Sequence, residues 1–184
     1  MKNSHNFLFK VSVIGDGRVG KTSLIRRFTK GNFDTNYAIT IGAQFSQYKR
    51  EIEGDKITLF FWDIAGQDSF HFVRPSFYAK SHAAIMVYSL EKNRLGKQSY
   101  RDTINWYREV KQFCGDIPII LFANKVDLIN ENSLKKAKIQ NLVDNLNLWD
   151  YYITSAKSGQ GVHHAFNNII EKLYYQTMQL SPSY

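Results

Sequence analysis

Short hydrophobic runs alternate with amphipathic stretches along the whole length of this chain. The runs predict six β-strands, at residues 7–14, 43–52, 56–63, 83–90, 117–123 and 151–154. The stretches between them predict five helices, near residues 21–29, 70–80, 97–113, 133–146 and 162–178. Such alternation is typical of an α/β fold in which helices cover both faces of a sheet.

The pairing of the predicted strands can also be inferred. Gly54 and Asp55 separate the second strand from the third and give the backbone the freedom that an antiparallel hairpin needs. The fourth and fifth strands are almost continuously apolar, as central parallel strands are. We therefore expect a six-stranded, mostly parallel sheet with one antiparallel strand. Because no repeat or linker interrupts the pattern, we expect one domain over residues 1–184, with its core at about 7–178.

The composition is that of a packed globular domain, with 184 residues of which 43% are hydrophobic. The single cysteine, Cys114, excludes an intrachain disulfide and a cysteine-based zinc site, and it fits a reducing cytoplasm. The formal net charge is +8, but the cations are spread along the chain, so nucleic acid is not expected to be the main partner. No apolar run is long enough to predict a membrane span.

A glycine-rich turn follows the first predicted strand and precedes the first helix. Residues 15–22 read Gly-Asp-Gly-Arg-Val-Gly-Lys-Thr, which matches the phosphate-binding loop pattern. The glycines allow backbone N–H groups to face phosphates, Lys21 can neutralise them, and the Thr22 hydroxyl can ligate Mg²⁺. The expected nucleotide contacts are Gly15, Asp16, Gly17, Arg18, Val19, Gly20, Lys21, Thr22 and Ser23. This loop alone leaves kinases, ATPases and GTPases open.

Three further segments lie just past predicted strand ends, where the ligands of an open α/β sheet bind. They read Trp-Asp-Ile-Ala-Gly-Gln at 62–67, Asn-Lys-Val-Asp at 124–127 and Ser-Ala-Lys at 155–157. In the order, spacing and identity of these motifs the chain resembles the small GTPases of the Ras superfamily, and within it the Rab-like proteins. Its Asn-, Lys- and Ile-rich composition also resembles the Rab-like GTPases of Asgard archaea. The resemblance implies a P-loop NTPase fold and slow hydrolysis of GTP to GDP and phosphate.

The resemblance implies roles in metal binding and catalysis for a few residues. Thr22, Thr40 and Asp63 would hold Mg²⁺, with Asp63 acting through a water molecule. Gly66 would donate its N–H to the γ-phosphate, and Gln67 would orient the attacking water. The implied catalytic residues are Gln67, Lys21 and Thr40.

The resemblance also implies a guanine pocket. Asp127 would accept hydrogen bonds from the base edge, Lys125 would pack over the ring, and Ala156 would donate its N–H to the guanine carbonyl. The pocket as a whole would consist of Asn124, Lys125, Asp127, Ser155, Ala156 and Lys157. Phe33 would set its edge against guanine, although packing against the core explains it as well, and Tyr37 belongs to the same nucleotide-contacting segment.

Three aromatic residues resemble the triad through which Rab proteins contact effectors. Phe45, Trp62 and Phe77 are spaced by 17 and 15 residues, as in that family, and simple packing is the alternative. The partners implied for such a GTP/GDP switch are GTP-dependent effectors, a GTPase-activating protein and an exchange factor. Arg18 departs from the usual Rab loop, and we expect its side chain to be exposed. Residues 180–184 hold no cysteine, so no prenyl group is expected on this chain.

Other functions stay open on the sequence alone: a binding module without hydrolysis, a small-molecule kinase, and a nucleic-acid binder. The predicted location is the cytoplasm, with contact at a membrane surface left open. Six cations on or just before the third helix could touch anionic lipid or form a solvated face. They are Lys92, Arg94, Lys97, Arg101, Arg108 and Lys111. Arg74 follows the 62–67 segment and is assigned no catalytic role.

Overall fold

The computed structural model describes residues 4–33, 40–66, 72 and 74–180, with the backbone alone at Glu131 and Leu180. Its strands are β1 (Asn6–Ile14), β2 (Ala43–Ile52), β3 (Asp55–Ile64), β4 (Ala83–Ser89), β5 (Ile119–Asn124) and β6 (Asp150–Thr154). Its α-helices are α1 (Lys21–Lys30), α2 (Arg74–Tyr78), α3 (Arg94–Cys114), α4 (Lys136–Asn145) and α5 (Val162–Leu180). Short 3₁₀ turns lie at Val126–Leu128 and Glu131–Ser133.

The strands form one sheet in the order β2-β3-β1-β4-β5-β6. Only β2 and β3 pair antiparallel; every other pair among the described strands is parallel. The predicted six-stranded, mostly parallel sheet is therefore confirmed. The carboxyl ends of β1, β3, β4, β5 and β6 consequently share one edge, where the segments singled out in the sequence meet.

Two hydrophobic layers cover the sheet. On one face, α1 and α5 pack on the strands through residues such as Phe28 and Phe166, whose rings stack at 4.5 Å between centroids. On the other face, the layer is formed by α2, α3 and α4 and includes Tyr78, Trp106 and Ile139. Helices on both faces of a parallel sheet are the α/β arrangement that the alternating pattern predicts.

Several element boundaries differ from the prediction, each for a local reason. The third helix begins at Arg94 rather than 97, because the Asn93 side chain accepts a hydrogen bond from Gly96 N at 2.9 Å and caps it. The second helix ends at Tyr78 rather than 80, since Lys80 adopts a left-handed φ of 59°. The fourth begins at Lys136 rather than 133, after the second 3₁₀ turn.

The segment between β2 and β3 is shorter than predicted, because Asp55 already belongs to β3. Glu53 and Gly54 alone make the turn, with φ values of 53° and 90°, as a two-residue hairpin requires. The fifth strand begins at Ile119 rather than 117, directly after Pro118, which has no N–H to give to a ladder. Among the described residues, no helix has the length and apolar character needed to cross a membrane.

Candidate functional site

The phosphate-binding loop joins β1 to α1 at the carboxyl edge of the sheet, and its glycines are sterically required. Gly15 has a φ of 130°, and a Cβ there would lie 2.1 Å from the Val87 carbonyl oxygen. Gly20 has a φ of 102°, and a Cβ there would lie 2.4 Å from the Asn124 side-chain nitrogen. Both positions therefore need glycine for backbone conformation and for space. Arg18 lies at the exposed tip with a φ of 67°, and its side chain is exposed, as expected.

Lys21 is the first residue of α1 and its side chain turns back into the loop. It is only 6% exposed, and its Nζ donates to Gly15 O at 2.7 Å and to Asp16 O at 2.8 Å. Burial lowers the pKa of Lys21 to about 8, although the nearby Asp63 and Asp16 carboxylates act in the opposite direction. A buried ammonium held by two loop carbonyls favours an anion beside it.

Oxygen-bearing side chains from three separate segments meet next to Lys21. The Thr22 hydroxyl donates to Asp63 Oδ2 and lies 3.1 Å from the Thr40 hydroxyl, which in turn lies 3.4 Å from Asp63 Oδ2. Asp63 is 3% exposed, and burial raises its pKa despite the opposing effect of Lys21. Its second oxygen, Oδ1, is a buried polar atom without a hydrogen-bond partner among the described residues.

This donor set suits a hard divalent cation. Mg²⁺ prefers oxygen ligands and keeps several waters, and hydroxyl and carboxylate oxygens are what Thr22, Thr40 and Asp63 offer. A bound cation would also explain the unpartnered Asp63 Oδ1. A buried carboxylate oxygen without a ligand or hydrogen-bond donor loses its hydration and gains no interaction that compensates for it. The three residues predicted as metal ligands are thus brought together.

The predicted base pocket lies where β5 and β6 end, and Asn124 holds it together. Asn124 Nδ2 donates to Val19 O at 2.8 Å, which ties the pocket to the phosphate loop. Asn124 Oδ1 accepts from Thr154 Oγ1 and from Ala156 N, both at 3.2 Å. The Ala156 N–H, which the resemblance assigns to the guanine carbonyl, therefore has a partner within the protein. Asn124 is a framework residue of the pocket.

Asp127 and Lys125 present charged groups at this pocket. Asp127 is exposed, and its Oδ1 accepts from Ser155 Oγ at 2.5 Å, which fixes the direction of the carboxylate. Lys125 adopts a left-handed φ of 69°, and its Nζ pairs with Glu91 Oε2 at 2.6 Å. Lys157 is exposed, and Phe33 is partly buried against the core layer of α1 and α5. That contact is the packing role considered for Phe33.

Sequence reasoning missed Arg27, which holds the last loop of the pocket from α1. Its Nε donates to Ala156 O at 2.8 Å, and its terminal nitrogens donate to Lys157 O and to Gly31 O. An arginine donates in a fixed planar arrangement, so one side chain can hold several carbonyls at once. Nothing in the sequence spacing identifies Arg27, because its two partners in the pocket, Ala156 and Lys157, lie 129 and 130 positions away along the chain.

A second missed group links the phosphate loop to α2 through α3. The Trp106 indole N–H donates to Asp16 Oδ1 at 2.7 Å, and the Arg74 guanidinium lies 4.3 Å from the centre of the Trp106 ring. Arg74 is only 4% exposed; it donates to Ala65 O at 3.2 Å and pairs with Glu109 at 3.2 Å. Glu109 also accepts from the Tyr78 hydroxyl at 2.9 Å. A buried arginine satisfied in this way is a structural anchor.

The three predicted effector aromatics form one continuous group. The Phe45 and Trp62 rings meet edge to face with centroids 5.8 Å apart, and the Trp62 and Phe77 rings lie 5.7 Å apart. Phe45 is 55% exposed, whereas Trp62 and Phe77 are partly buried. Gln67 and Tyr37, predicted as nucleotide or catalytic residues, lie outside the residues that the structure describes.

Comparisons with known proteins agree with this geometry. Residues 10–175 match the Ras family. The human Ras-related protein Rab-30 is 33% identical over 176 residues, which cover 95% of this chain and 84% of the relative. The bovine Ras-related protein Rab-21 is 32% identical over 168 residues, which cover 91% of this chain and 73% of the relative. The chain therefore belongs to the Ras family and is a Rab-like small GTPase, an enzyme that hydrolyses GTP to GDP and phosphate.

Proposed function

We propose that this protein is a molecular switch whose phosphate loop, Mg²⁺ ligands and base pocket respond to GTP and GDP. The observation that carries the proposal is the meeting of Thr22, Thr40 and Asp63 beside the buried Lys21 ammonium. Thr40 is the residue on which the switching depends, because it follows a separate segment after α1 and reaches the same carboxylate as Thr22. The γ-phosphate of GTP, together with Mg²⁺, would bind Thr40 and so hold that segment to the phosphate loop. Loss of the γ-phosphate on hydrolysis would release the segment.

In GTP hydrolysis, some residues of the site would bind the phosphates and Mg²⁺, and Gln67 would orient the attacking water. Lys21 would neutralise the β- and γ-phosphate oxygens, and loop N–H groups would hold them in place. Thr22, Thr40 and Asp63 would hold Mg²⁺, which supplies positive charge toward the phosphates when bound. Gln67 would orient a water so that its oxygen attacks the γ-phosphorus as the bond to the β-phosphate oxygen breaks. The whole chain, residues 1–184, would act as a single G domain.

The base pocket supports guanine as the base. The Asp127 carboxylate can accept two hydrogen bonds from guanine, through N1–H and the 2-amino group, whereas adenine offers neither donor there. Ser155 fixes one carboxylate oxygen at 2.5 Å, which leaves the exposed remainder of the group for the ligand. Asn124, Ala156 and Lys157 would complete the pocket around it.

The exposed aromatic group and the similarity to Rab proteins support a regulatory role. Phe45, Trp62 and Phe77 would form the effector surface, read when GTP orders the neighbouring segments. Partners would be effectors, an exchange factor and a GTPase-activating protein, in Rab-like membrane traffic. We place the protein in the cytoplasm and peripherally at a membrane surface.

The proposal is tested by nucleotide binding and by single-turnover hydrolysis with a Gln67→Leu variant. Leucine cannot hydrogen-bond the attacking water, so we expect GTP affinity to persist and hydrolysis to fall. GDP and GTP should bind far more tightly than ADP and ATP, as titration calorimetry can measure. An unchanged rate in Gln67→Leu would remove Gln67 from the mechanism, and equal affinity for ADP and GDP would overturn the base assignment.

A further inference from the structure

A cleft lies between α3 and α4, and none of the residues assigned to the nucleotide lines it, although Lys125 of the base pocket contacts its lining residue Glu91. It has a volume of about 740 Å³ and opens beside the ends of β4 and β5. That volume lies within the roughly 300–1,000 Å³ range of small-molecule sites. Tyr88, Leu90, Leu134 and Ile139 contribute apolar wall. We refer to it below as the α3–α4 cleft.

The α3–α4 cleft carries a strong excess of positive charge. Five cations line it, contributed by the first two turns of α3, by α4 and by residues just before each helix: Lys92, Lys97, Arg101, Lys135 and Lys138. The single carboxylate among its described lining residues is Glu91. That carboxylate is already compensated, because Glu91 pairs with Lys125 Nζ, from outside the cleft, at 2.6 Å and accepts from Ser89 Oγ at 2.8 Å.

Within the part of the chain that the structure describes, the cations of the cleft have no counter-charge of their own. Among the described residues, none of the five forms an ion pair with a carboxylate. Lys138 Nζ lies 4.0 Å from the centre of the Tyr100 ring, which holds it on the wall of the cleft. The charged groups of the other four donate no hydrogen bond to any residue that the structure describes. Converging cations without partners repel one another, so a multiply charged anion is the ligand that they fit.

The sequence alone pointed to a different set. Of the six cations predicted on or just before α3, Lys111 at the far end pairs with Asp116, and neither Arg94 nor Arg108 lines the cleft. The structure retains Lys92, Lys97 and Arg101 and adds Lys135 and Lys138 from the other wall. Two helix starts brought side by side make a concave site, which a single helix face cannot do.

The surroundings of the cleft favour a membrane over a free polyanion. Leu95 is 50% exposed and Leu128 is 52% exposed, and each is the immediate chain neighbour of a lining residue, Gly96 and Ile129 respectively. Exposed leucines beside cations are typical of surfaces that lie against an anionic bilayer. Phe45 and Trp62 lie on β2 and β3, toward the opposite edge of the sheet from β5 and β6, and Phe77 lies on α2, so a membrane at the cleft leaves the exposed Phe45 accessible.

We propose that the α3–α4 cleft binds the phosphorylated inositol headgroup of a membrane lipid, and so attaches this GTPase to the bilayer. This inference rests on the proposed peripheral location and names the surface responsible. Arg101 can bind a phosphate through two parallel hydrogen bonds, and the four lysines supply point charges around the remaining oxygens. The size of the cleft accommodates a sugar-like ring that carries more than one phosphate.

The test is binding of full-length protein, loaded with GDP, to phosphatidylcholine vesicles with and without a phosphatidylinositol bisphosphate. A Lys97→Ala/Arg101→Ala variant removes two exposed cations whose charged groups form no hydrogen bond or ion pair with the described residues. We expect it to weaken binding about thirtyfold, which corresponds to about 1 kcal/mol for each cation. The matched control is Lys49→Ala/Arg108→Ala, which removes the same charge from two exposed positions outside the cleft and should change binding less than about threefold.

The outcomes separate the cleft from the broader proposal. Soluble inositol trisphosphate should displace the protein from these vesicles, whereas phosphatidylserine vesicles of equal charge should bind it more weakly. Equal loss in both double variants would overturn the cleft and leave peripheral attachment by general charge. No binding of wild-type protein to any vesicle would overturn both. Binding to single-stranded RNA with the same variant sensitivity, without vesicle binding, would assign the cleft to nucleic acid instead. GDP affinity should be equal in all three proteins.

Discussion

At the scale of single residues, Asp127 is the group that we propose selects the base. Its carboxylate accepts hydrogen bonds only, and Ser155 Oγ at 2.5 Å fixes its direction. A site that depends on donors in its ligand rejects an analogue without them by roughly 10⁴–10⁵-fold. The proposed preference for guanine would therefore depend on one side chain, although Asn124 and Arg27 hold neighbouring parts of the pocket in place.

The Asp127→Asn variant should exchange guanine affinity for xanthine affinity. The asparagine amide can donate to the 2-oxo group of xanthine, whereas it sets a donor against the 2-amino group of guanine. Competition of XDP and GDP against a fluorescent nucleotide measures both affinities. A Ser155→Ala variant is the control for the orientation of the carboxylate, and it should lower the affinity for GDP without raising the affinity for XDP. Continued preference of Asp127→Asn for GDP would show that another residue reads the base.

Arg18 is a second residue whose contribution can be isolated. Its side chain is exposed at the tip of the phosphate loop, and its backbone is already in the left-handed region. We therefore expect Arg18→Ala to change intrinsic single-turnover hydrolysis by less than about tenfold, or about 1.4 kcal/mol in activation free energy. Lys30→Ala, an exposed cation at the far end of α1, serves as the control. A loss of a hundredfold or more would make Arg18 an arginine finger supplied by the same chain.

At the scale of elements, α3 connects the phosphate loop with α2. Trp106 contacts Asp16 through its N–H and Arg74 through its ring, while Glu109, one turn further along α3, holds Arg74 and Tyr78. Burial raises the pKa of Asp16, and the indole donor opposes that rise. Since α2 follows the segment that carries Gln67, this link gives the loop and α2 a common anchor.

The Trp106→Phe variant tests that link, because phenylalanine keeps an aromatic ring beside Arg74 but removes the N–H donor. Loss of a hydrogen bond to a charged group should lower the free energy of unfolding by about 2 kcal/mol and Tm by about 4–8 °C. The control is Trp149→Phe, since Lys172 Nζ lies 5.5 Å from the Trp149 ring centre and no described group accepts from its indole N–H. Equal losses in both variants would show that the Trp106–Asp16 hydrogen bond contributes nothing specific.

At the scale of the whole molecule, ligand binding and the stability of the fold are linked through buried charged groups at the carboxyl end of the sheet. Lys21 and Asp63 are buried, and burial lowers the pKa of Lys21 and raises the pKa of Asp63, so that it favours the neutral form of each group. Keeping both groups charged for a charged ligand therefore costs the ligand-free protein free energy. Nucleotide and Mg²⁺ offset that cost when they bind. The fold of the complex should therefore be markedly more stable than that of the protein stripped of ligand.

Removal of Mg²⁺ with a chelator should lower the Tm of the GDP complex and speed the release of GDP. With GDP at a hundredfold excess over its Kd, binding stabilises the fold by about 2.7 kcal/mol, and this contribution shrinks as the affinity falls. Differential scanning calorimetry with and without EDTA measures the change. Asp63→Asn should show a smaller response to EDTA than wild type, and an equal response would remove Asp63 from the metal site.

The sequence by itself determined the element order and the chemistry of the site. Local sequence is enough to recognise features such as the strands at 7–14 and 43–52 and the glycine-rich loop. The signals that predict them, namely hydrophobic periodicity, turn residues and motif spacing, each extend over only a few positions. The resemblance to small GTPases rested on residues that follow strand ends, and parallel strands bring those ends together by topology alone. Of the predicted metal ligands, Thr22 follows from the phosphate-loop motif, whereas Asp63 near the end of β3 and Thr40 before β2 are implied by the resemblance.

Only the tertiary structure decided which long-range partners each charged side chain finds. Arg74 and Arg27 look like ordinary surface cations in the sequence, yet one is buried against Trp106 and the other holds the Ala156 loop. The α3–α4 cleft likewise combines cations more than 30 positions apart, Lys97 and Lys138, which no local pattern relates. Whether a charged side chain is buried or paired depends on its neighbours from helices that are distant in the chain. Those neighbours are defined only when the sheet brings the helices together.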